Sequence, residues 1–382
     1  MRRMLRVIAI AVWAASLCGG AASGSMPPSG NVLESARASA VNGDVGTAID
    51  RLEPYVSAHP NDAAAARMLG DFYFRNADPL RAEAIWQAEI RRNPDDHETH
   101  ERLGSLYAAH NRLTDAINEF EQSLPMREGL LQLIDVQRRT HGLEAFVAHA
   151  QTEERRHPYD SWQVTLYATV LEVTHHAHEA LQYYTRVVDL APVPDCDALV
   201  SRAADLLDLQ HEAEAIIDLR ACLRTNQDDY AALTVLGSTY LHPGTYEQAR
   251  PLLEHALQVL PYGAEALIDL GYLDDATGDA DGAAMCYRKA LAGDPLRPEA
   301  YIDLGFDYAA HRRYAQAEAM YSAGLIAAPD SGRLHYLLGA AYRSEGRFAL
   351  AQVQFEAALS ADESEVVNAA RDALATLPDM LG

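Results

Sequence analysis

Residues 264–295 read AEALIDLGYLDDATGDADGAAMCYRKALAGDP, and the spacing of residue types within them decides the fold. From Ala264 to Thr277, the residues Leu267, Leu270, Gly271 and Asp274 recur at three- and four-residue steps, which puts them on one face of a helix. Gly278-Asp279 breaks that helix, and a second apolar helix is expected from about Gly282 to Ala292. Pro295 then stops the chain, because proline lacks an N–H and clashes with the preceding turn. Gly271, Ala283 and Ala290 let the two helix axes come to the short end of the roughly 8–10 Å packing range. Leu270, Tyr287 and Leu291 fill the space that remains.

The same arrangement returns every 34 residues, at Leu236-Gly237, Leu270-Gly271, Leu304-Gly305 and Leu338-Gly339. Ala249, Ala283, Ala317 and Ala351 march with these dipeptides, as do Leu253, Tyr287, Tyr321 and Phe355. A fixed period of this length marks a stack of repeated helical pairs. The pattern resembles the tetratricopeptide repeat (TPR). Leu69-Gly70, Tyr73, Ala82, Trp86 and Pro94 make an earlier copy, and Leu103-Gly104, Tyr107, Ala116 and Phe120 another. Weaker copies fit around Leu52 and Pro60, Tyr184 and Pro192, and Leu219 and Cys222. The poorest runs from Arg127 to Asp160, after a unit about four residues short.

The expected fold is therefore all-α: a right-handed α-solenoid of about ten TPR helix-turn-helix units with a C-terminal capping helix. Gly70, Gly104, Gly237, Gly271, Gly305 and Gly339 are its expected packing glycines. The expected division is a signal peptide over 1–22, a flexible linker over 23–30, the TPR array over 31–365 and the capping helix over 366–378. Asp362 to Glu365 reads as the capping box of that last helix, and Pro378 as its end.

Arg2, Arg3 and Arg6 precede an apolar run from Val7 to Leu17 and a small-residue exit, the features of a secretory signal. Cleavage after Ala22 or Gly24 is expected, with export to the periplasm or beyond the cell and no membrane insertion afterwards, the alternative being an uncleaved anchor. A single lysine, Lys289, among 31 basic residues points to a GC-rich bacterial genome. The net charge of −24 opposes nucleic-acid binding, which depends on neutralising phosphates with cations.

Cys196 opens a first helix and Cys222 lies near the end of its partner, so a disulfide between them is geometrically allowed. The alternative is two buried small apolar side chains. No CxxC, CxxCH, GxSxG, HExxH, phosphate-binding loop or dinucleotide fingerprint occurs, and neither an enzyme nor a cofactor nor a metal is expected. His175, His176 and His178, with His110, His141, His211, His242 and His311 in register, fall at the turn inside each repeat. Metal or pH sensing there competes with a local explanation, since histidine tolerates the left-handed backbone such a turn needs.

The TPR resemblance implies a ligand groove lined by first helices. In this register its surface comprises Trp162, Leu166, Thr169, Val235, Ser238, Ile268, Tyr272, Ile302, Phe306 and Tyr336, bordered by Asp269 and Asp303. An apolar, acid-rimmed groove suits a protein or peptide partner with aliphatic anchors and basic flanks. The carboxylate clamp of chaperone-binding TPR domains is not matched, for want of groove lysines and asparagines. The expected function is a non-catalytic interaction scaffold of the bacterial envelope or secreted space. The alternatives are a self-assembling structural protein and the turn-histidine sensor.

Overall fold

One residue in a left-handed backbone conformation punctuates each helical pair. These are Gly43, Ala77, Asn111, His141, His175, Gln210, Gly244, Gly278, Arg312 and Gly346, with φ between +56° and +98°. At every one of these but Gly244, the first helix of the pair ends within two residues before the break. There the chain closes with backbone bonds that skip five residues, such as Asp78 N–H to Tyr73 O and Arg313 N–H to Tyr308 O at 2.9 and 2.8 Å. This Schellman closure satisfies carbonyls that a helix end would otherwise leave bare, and it demands the positive φ. The left-handed residues stand 34 apart, except for 30 between Asn111 and His141 and 35 between His175 and Gln210. The shorter interval lies where the sequence pattern loses four residues.

The computed structural model describes residues 28–124, 127–157, 159–190, 196–361 and 364–377. The expected signal peptide and the residues Pro158, Pro192, Asp362 and Pro378 lie outside them. The described residues form 21 helices and no strand. The first pairs are α1 (Pro28–Val41) with α2 (Val45–Ala58), α3 (Ala63–Arg75) with α4 (Pro79–Arg92), and α5 (His97–Ala109) with α6 (Leu113–Ser123). Next come α7 (Arg127–Arg139) with α8 (Leu143–Arg156), α9 (Ser161–Val173) with α10 (Ala177–Leu190), and α11 (Cys196–Asp208) with α12 (Glu212–Thr225). The series continues through α13 (Tyr230–Thr239) with α14 (Tyr246–Val259), and α15 (Ala264–Thr277) with α16 (Ala280–Gly293). It ends with α17 (Pro298–Ala310) and α18 (Tyr314–Ala327), α19 (Gly332–Ser344) and α20 (Phe348–Ala358), and a lone α21 (Ser364–Ala375). α1 begins at Pro28, inside the stretch expected as linker, because proline is tolerated in a first helical turn.

Side-chain caps open several helices. Asp62, Asp160, Asp229 and Asp279 each accept the N–H three residues on, at 2.9–3.0 Å. These bonds satisfy donors that the first turn cannot pair internally. Within each pair, the glycine of the first helix receives the large side chain of the second. A Cβ added at Gly70 would run into the Trp86 indole, at Gly104 into Phe120, at Gly305 into Tyr321 and at Gly339 into Phe355. Gly237 meets Leu253 in the same way, with 2.8 Å to its methyl carbon, and Gly271 is buried at the matching place in α15.

The described residues fall into two compact units. One comprises residues 93–108 and 112–273, the other 28–92, 109–111 and 274–377. In the first unit, Leu130, Ile134, Tyr167, Val170, Leu171 and Tyr184 form a core from α7, α9 and α10. In the second, α1 packs against α2 and also against α16.

Replacing glycine in a helix ordinarily gains up to about 1 kcal/mol in propensity, whereas overpacking costs about 1–3 kcal/mol. Gly70→Ala is therefore expected to lower stability by roughly 1–2 kcal/mol in denaturant unfolding. Gly46→Ala, whose Cβ meets nothing closer than 3.9 Å, should be neutral or stabilising. Equal effects at the two sites would show that the Trp86 contact does not limit the approach of α3 and α4.

Candidate functional site

The residues expected to line a groove divide into two groups by depth. In the first unit, Thr169 is fully buried: its hydroxyl lies 2.9 Å from the Tyr184 hydroxyl, which donates to Glu172 at 2.9 Å. Val235, Ile268 and Asp269 are buried as well. Trp162, Leu166, Ser238 and Tyr272 are half-buried and keep part of their surface in water. In the second unit, Ile302 is buried, while Asp303 and Tyr336 are half-buried. The Tyr336 ring packs against Phe355 at 5.7 Å between centroids. Thr169, Val235, Ile268, Asp269 and Ile302 are thus not open surface.

Phe306 is the exception among the aromatic residues, with 45% of its surface exposed. It stands on α17 between Asp303 and Asp307 in sequence, and Asp275 of the same unit is in electrostatic reach of both acids. Partial burial raises the Asp275 pKa, and the neighbouring Asp307 and Asp303 charges raise it further, against a hydrogen bond from the Tyr287 hydroxyl at 3.1 Å. Burial likewise raises Asp307, opposed by His311, whose Nδ1 lies 3.1 Å from its carboxylate. An exposed apolar ring thus stands three residues after the half-buried Asp303 and directly before Asp307, whose buried carboxylate pairs with His311. Such a place favours a partner that brings an apolar side chain together with positive charge. Asp307 was not singled out from sequence, although it falls directly after Phe306 and four residues before His311.

His141 and His175 occupy left-handed turn positions, at φ +58° and +65°. The turn histidines do not gather into a ligand set. Among the described residues, three ligand-type atoms come within 4.8 Å of one another at Cys196, Cys222 and Asp229 alone. There the two sulfurs are bonded to each other, and the Asp229 carboxylate caps α13 by accepting the Ala232 N–H at 2.9 Å. The Cys196–Cys222 disulfide ties the start of α11 to the last turns of α12, with the Cα atoms 4.9 Å apart. Cys286 is free and buried.

One titrating residue escaped the sequence reading. His100, buried in α5, faces acceptors with both ring nitrogens: Glu119 Oε2 at 2.7 Å and the Pro94 carbonyl at 2.9 Å. His335 repeats the arrangement with Gln354 at 2.7 Å and the Pro329 carbonyl at 3.0 Å. Its signal was present, because each histidine lies four residues before a packing glycine. A neutral imidazole offers one N–H, so only the cation satisfies both acceptors. Burial alone would push the His100 pKa down, but Glu119, the Pro94 carbonyl and Asp96 together raise it.

Residues 68–129, 276–341 and 332–365 each match a family description that reads "Tetratricopeptide repeat". No curated protein matches the sequence. Among solved structures, the Cut9-Hcn1 hetero-tetramer of the APC/C contains a similar chain, at 16% identity and a TM-score of 0.50. That likeness covers 82% of this chain and 64% of the other, so this chain spans less than two thirds of it. A tetratricopeptide repeat protein from Parabacteroides merdae is 17% identical with a TM-score of 0.46, covering 69% of this chain and 99% of that one. MamA is 21% identical with a TM-score of 0.36, over 48% of this chain and 91% of its own. The chain is a tetratricopeptide repeat protein.

Two measurements probe this chemistry. In the chain-entropy picture a disulfide closing a loop of this size contributes about 3 kcal/mol. Reduction, or Cys196→Ser, should therefore lower the unfolding temperature, and once Cys196 is gone reductant should have no further effect; an unfolding temperature indifferent to reductant would remove the bond from the account. For His100 the folded pKa lies above the ordinary 6.5. Its contribution is fully present below that value and is lost as pH rises through the folded pKa. Stability should fall with rising pH above about 6.5 in the native protein and fall less in His100→Asn. Parallel pH profiles would show that His100 does not titrate with folding.

Proposed function

We propose that this tetratricopeptide repeat protein is a non-catalytic scaffold, exported into the bacterial envelope or the secreted space, that holds a peptide or protein partner. The observation that carries the binding reading is Phe306, exposed on α17 one helical turn after the half-buried Asp303. An apolar anchor inserted beside that ring gains from burial at about 25 cal/mol per Å². Lysine or arginine next to the anchor meets Asp303, which adds register and partner discrimination. The partner class is therefore a segment with a hydrophobic side chain and adjacent basic residues.

Export is supported by the arginine-led apolar run at residues 2–17 and by the Cys196–Cys222 pair, since disulfides persist mainly in oxidising compartments. Of the turn histidines, His141 and His175 enter this reading as backbone punctuation.

The binding reading is tested with crosslinking to partners in the native envelope, in the wild type and in Phe306→Glu. Glutamate replaces the anchor contact with charge but lies on the exposed side of α17, so the fold should persist by circular dichroism. Partners should be lost from the variant, and excess of a basic, leucine-containing peptide should displace them from the wild type. Identical recovery from both proteins would remove Phe306 from the binding surface.

A further inference from the structure

Repeats in a stack touch their neighbours, and α1 departs from that rule by lying against α16, fifteen helices further along the chain. Comparison of equivalent positions shows what this contact covers. Pro295, between α16 and α17, is buried, whereas its counterparts Pro60, Pro94, Pro261 and Pro329 are exposed. Ala284 and Ala292 share one face of α16 and are buried. The counterparts of Ala292 at Gln258 and Ser360 are exposed, and the one at Ile326 is half-buried. On the facing side Val41 is buried, while at that same repeat position Arg75, Ala109, Asp208 and His242 are half-buried and Ala276, Ala310 and Ser344 exposed. The two stretches belong to one compact unit.

The chemistry of this seam is weak by construction. Its α16 face carries Ala284 and Ala292, which bury little apolar area, on either side of the half-buried Arg288. Arg75 at the end of α3 has its Nη1 buried with no hydrogen-bond partner among the described residues. Burial pushes the Arg75 pKa down, and Tyr301 of α17 is the group that opposes this. The Tyr301 hydroxyl offers little in return, since it is buried and donates to the Pro295 carbonyl at 3.0 Å. A buried charge lacking a good partner disfavours the closed arrangement, because opening returns it to water. Neighbour packing within α1–α2 and α3–α4 does not depend on the seam.

We propose that α1 and α3 form a reversible latch on α16 and α17, which Arg75 keeps weak enough to open while each helical pair stays folded. The latch is a conformational equilibrium of this chain, distinct from the partner contact at Phe306.

Hydrogen exchange read by mass spectrometry on the full chain tests it, comparing wild type, Arg75→Met and Ala292→Glu. Methionine keeps a long flexible side chain and removes the charge. Arg75→Met should slow exchange over residues 28–41 and 280–293 by at least about tenfold, the low end for replacing a poorly compensated buried charge by an apolar side chain. Residues 230–259 should not change. Ala292→Glu should speed exchange over 28–41 by a similar factor, with helicity by circular dichroism preserved. Unchanged or faster exchange of residues 28–41 in Arg75→Met overturns the proposal, as does an α1 indifferent to Ala292→Glu. Should Ala292→Glu unfold the chain, the Arg75→Met result decides alone.

Discussion

The close approach of a glycine-bearing helix to an aromatic-bearing one is the contact on which the rest of this structure depends. Gly70 against Trp86, Gly104 against Phe120, Gly305 against Tyr321 and Gly339 against Phe355 are the same interaction in four places. A side chain on the first helix would push the second away, and the large ring would then have no hole to fill. The ring itself is fully or almost fully buried in each of these pairs. The left-handed turn after each first helix follows from the same need, since it reverses the chain within two or three residues and brings the ring over the glycine. The asymmetry of the pair also explains why some second helices, such as α18, can be apolar on several sides. Their partners lie in front and on the flanks.

Much of this was legible in the sequence because every term in it is local. Leu-Gly, alanine thirteen residues after the leucine and an aromatic four further on lie within one repeat, and the period reports their geometry directly. The depth of the candidate groove was not legible for the same reason. Whether Val235, Ile268 or Ile302 faces water depends on how closely the next helix covers it, which the spacing inside a repeat does not encode. Thr169 illustrates the difficulty: its position matches that of Phe306, yet its hydroxyl is drawn inward by Tyr184. The α1–α16 contact is further out of reach, because its two surfaces are separated by most of the chain and each reads as ordinary alanine-rich helix. His100 and His335 stood between these cases, visible as a recurrence but silent about their acceptors.

Charge is handled in two ways in this strongly acidic chain. Where a carboxylate is buried, an arginine fork often meets it, as Arg202 does with Asp218 through two bonds of 2.7 Å. Arg186 with Glu154 is a second such pair. Planar guanidinium groups suit this work better than lysine, which binds as a point charge, and they also lie over tyrosine rings, as Arg112 does over Tyr107 at 3.9 Å. Near Phe306, by contrast, the partners are weaker: Asp275 accepts from the Tyr287 hydroxyl at 3.1 Å, and Asp307 lies 3.1 Å from His311 Nδ1.

The interval of 30 residues between Asn111 and His141 has a consequence for how the chain finds its own order. Identical layers can be stacked in the wrong sequence, since helix faces built on one template accept one another interchangeably, and misassembly between units is a characteristic failure of repeat chains. α6 has 11 residues where α4 and α8 have 14, close to one helical turn fewer. A turn is about 5.4 Å of ridge, so no full-length layer can replace this one without leaving a gap, and it cannot replace a full-length layer without leaving another. The short interval thus breaks the period at one place inside the array, so a chain slipped by one repeat across it would meet a mismatch there.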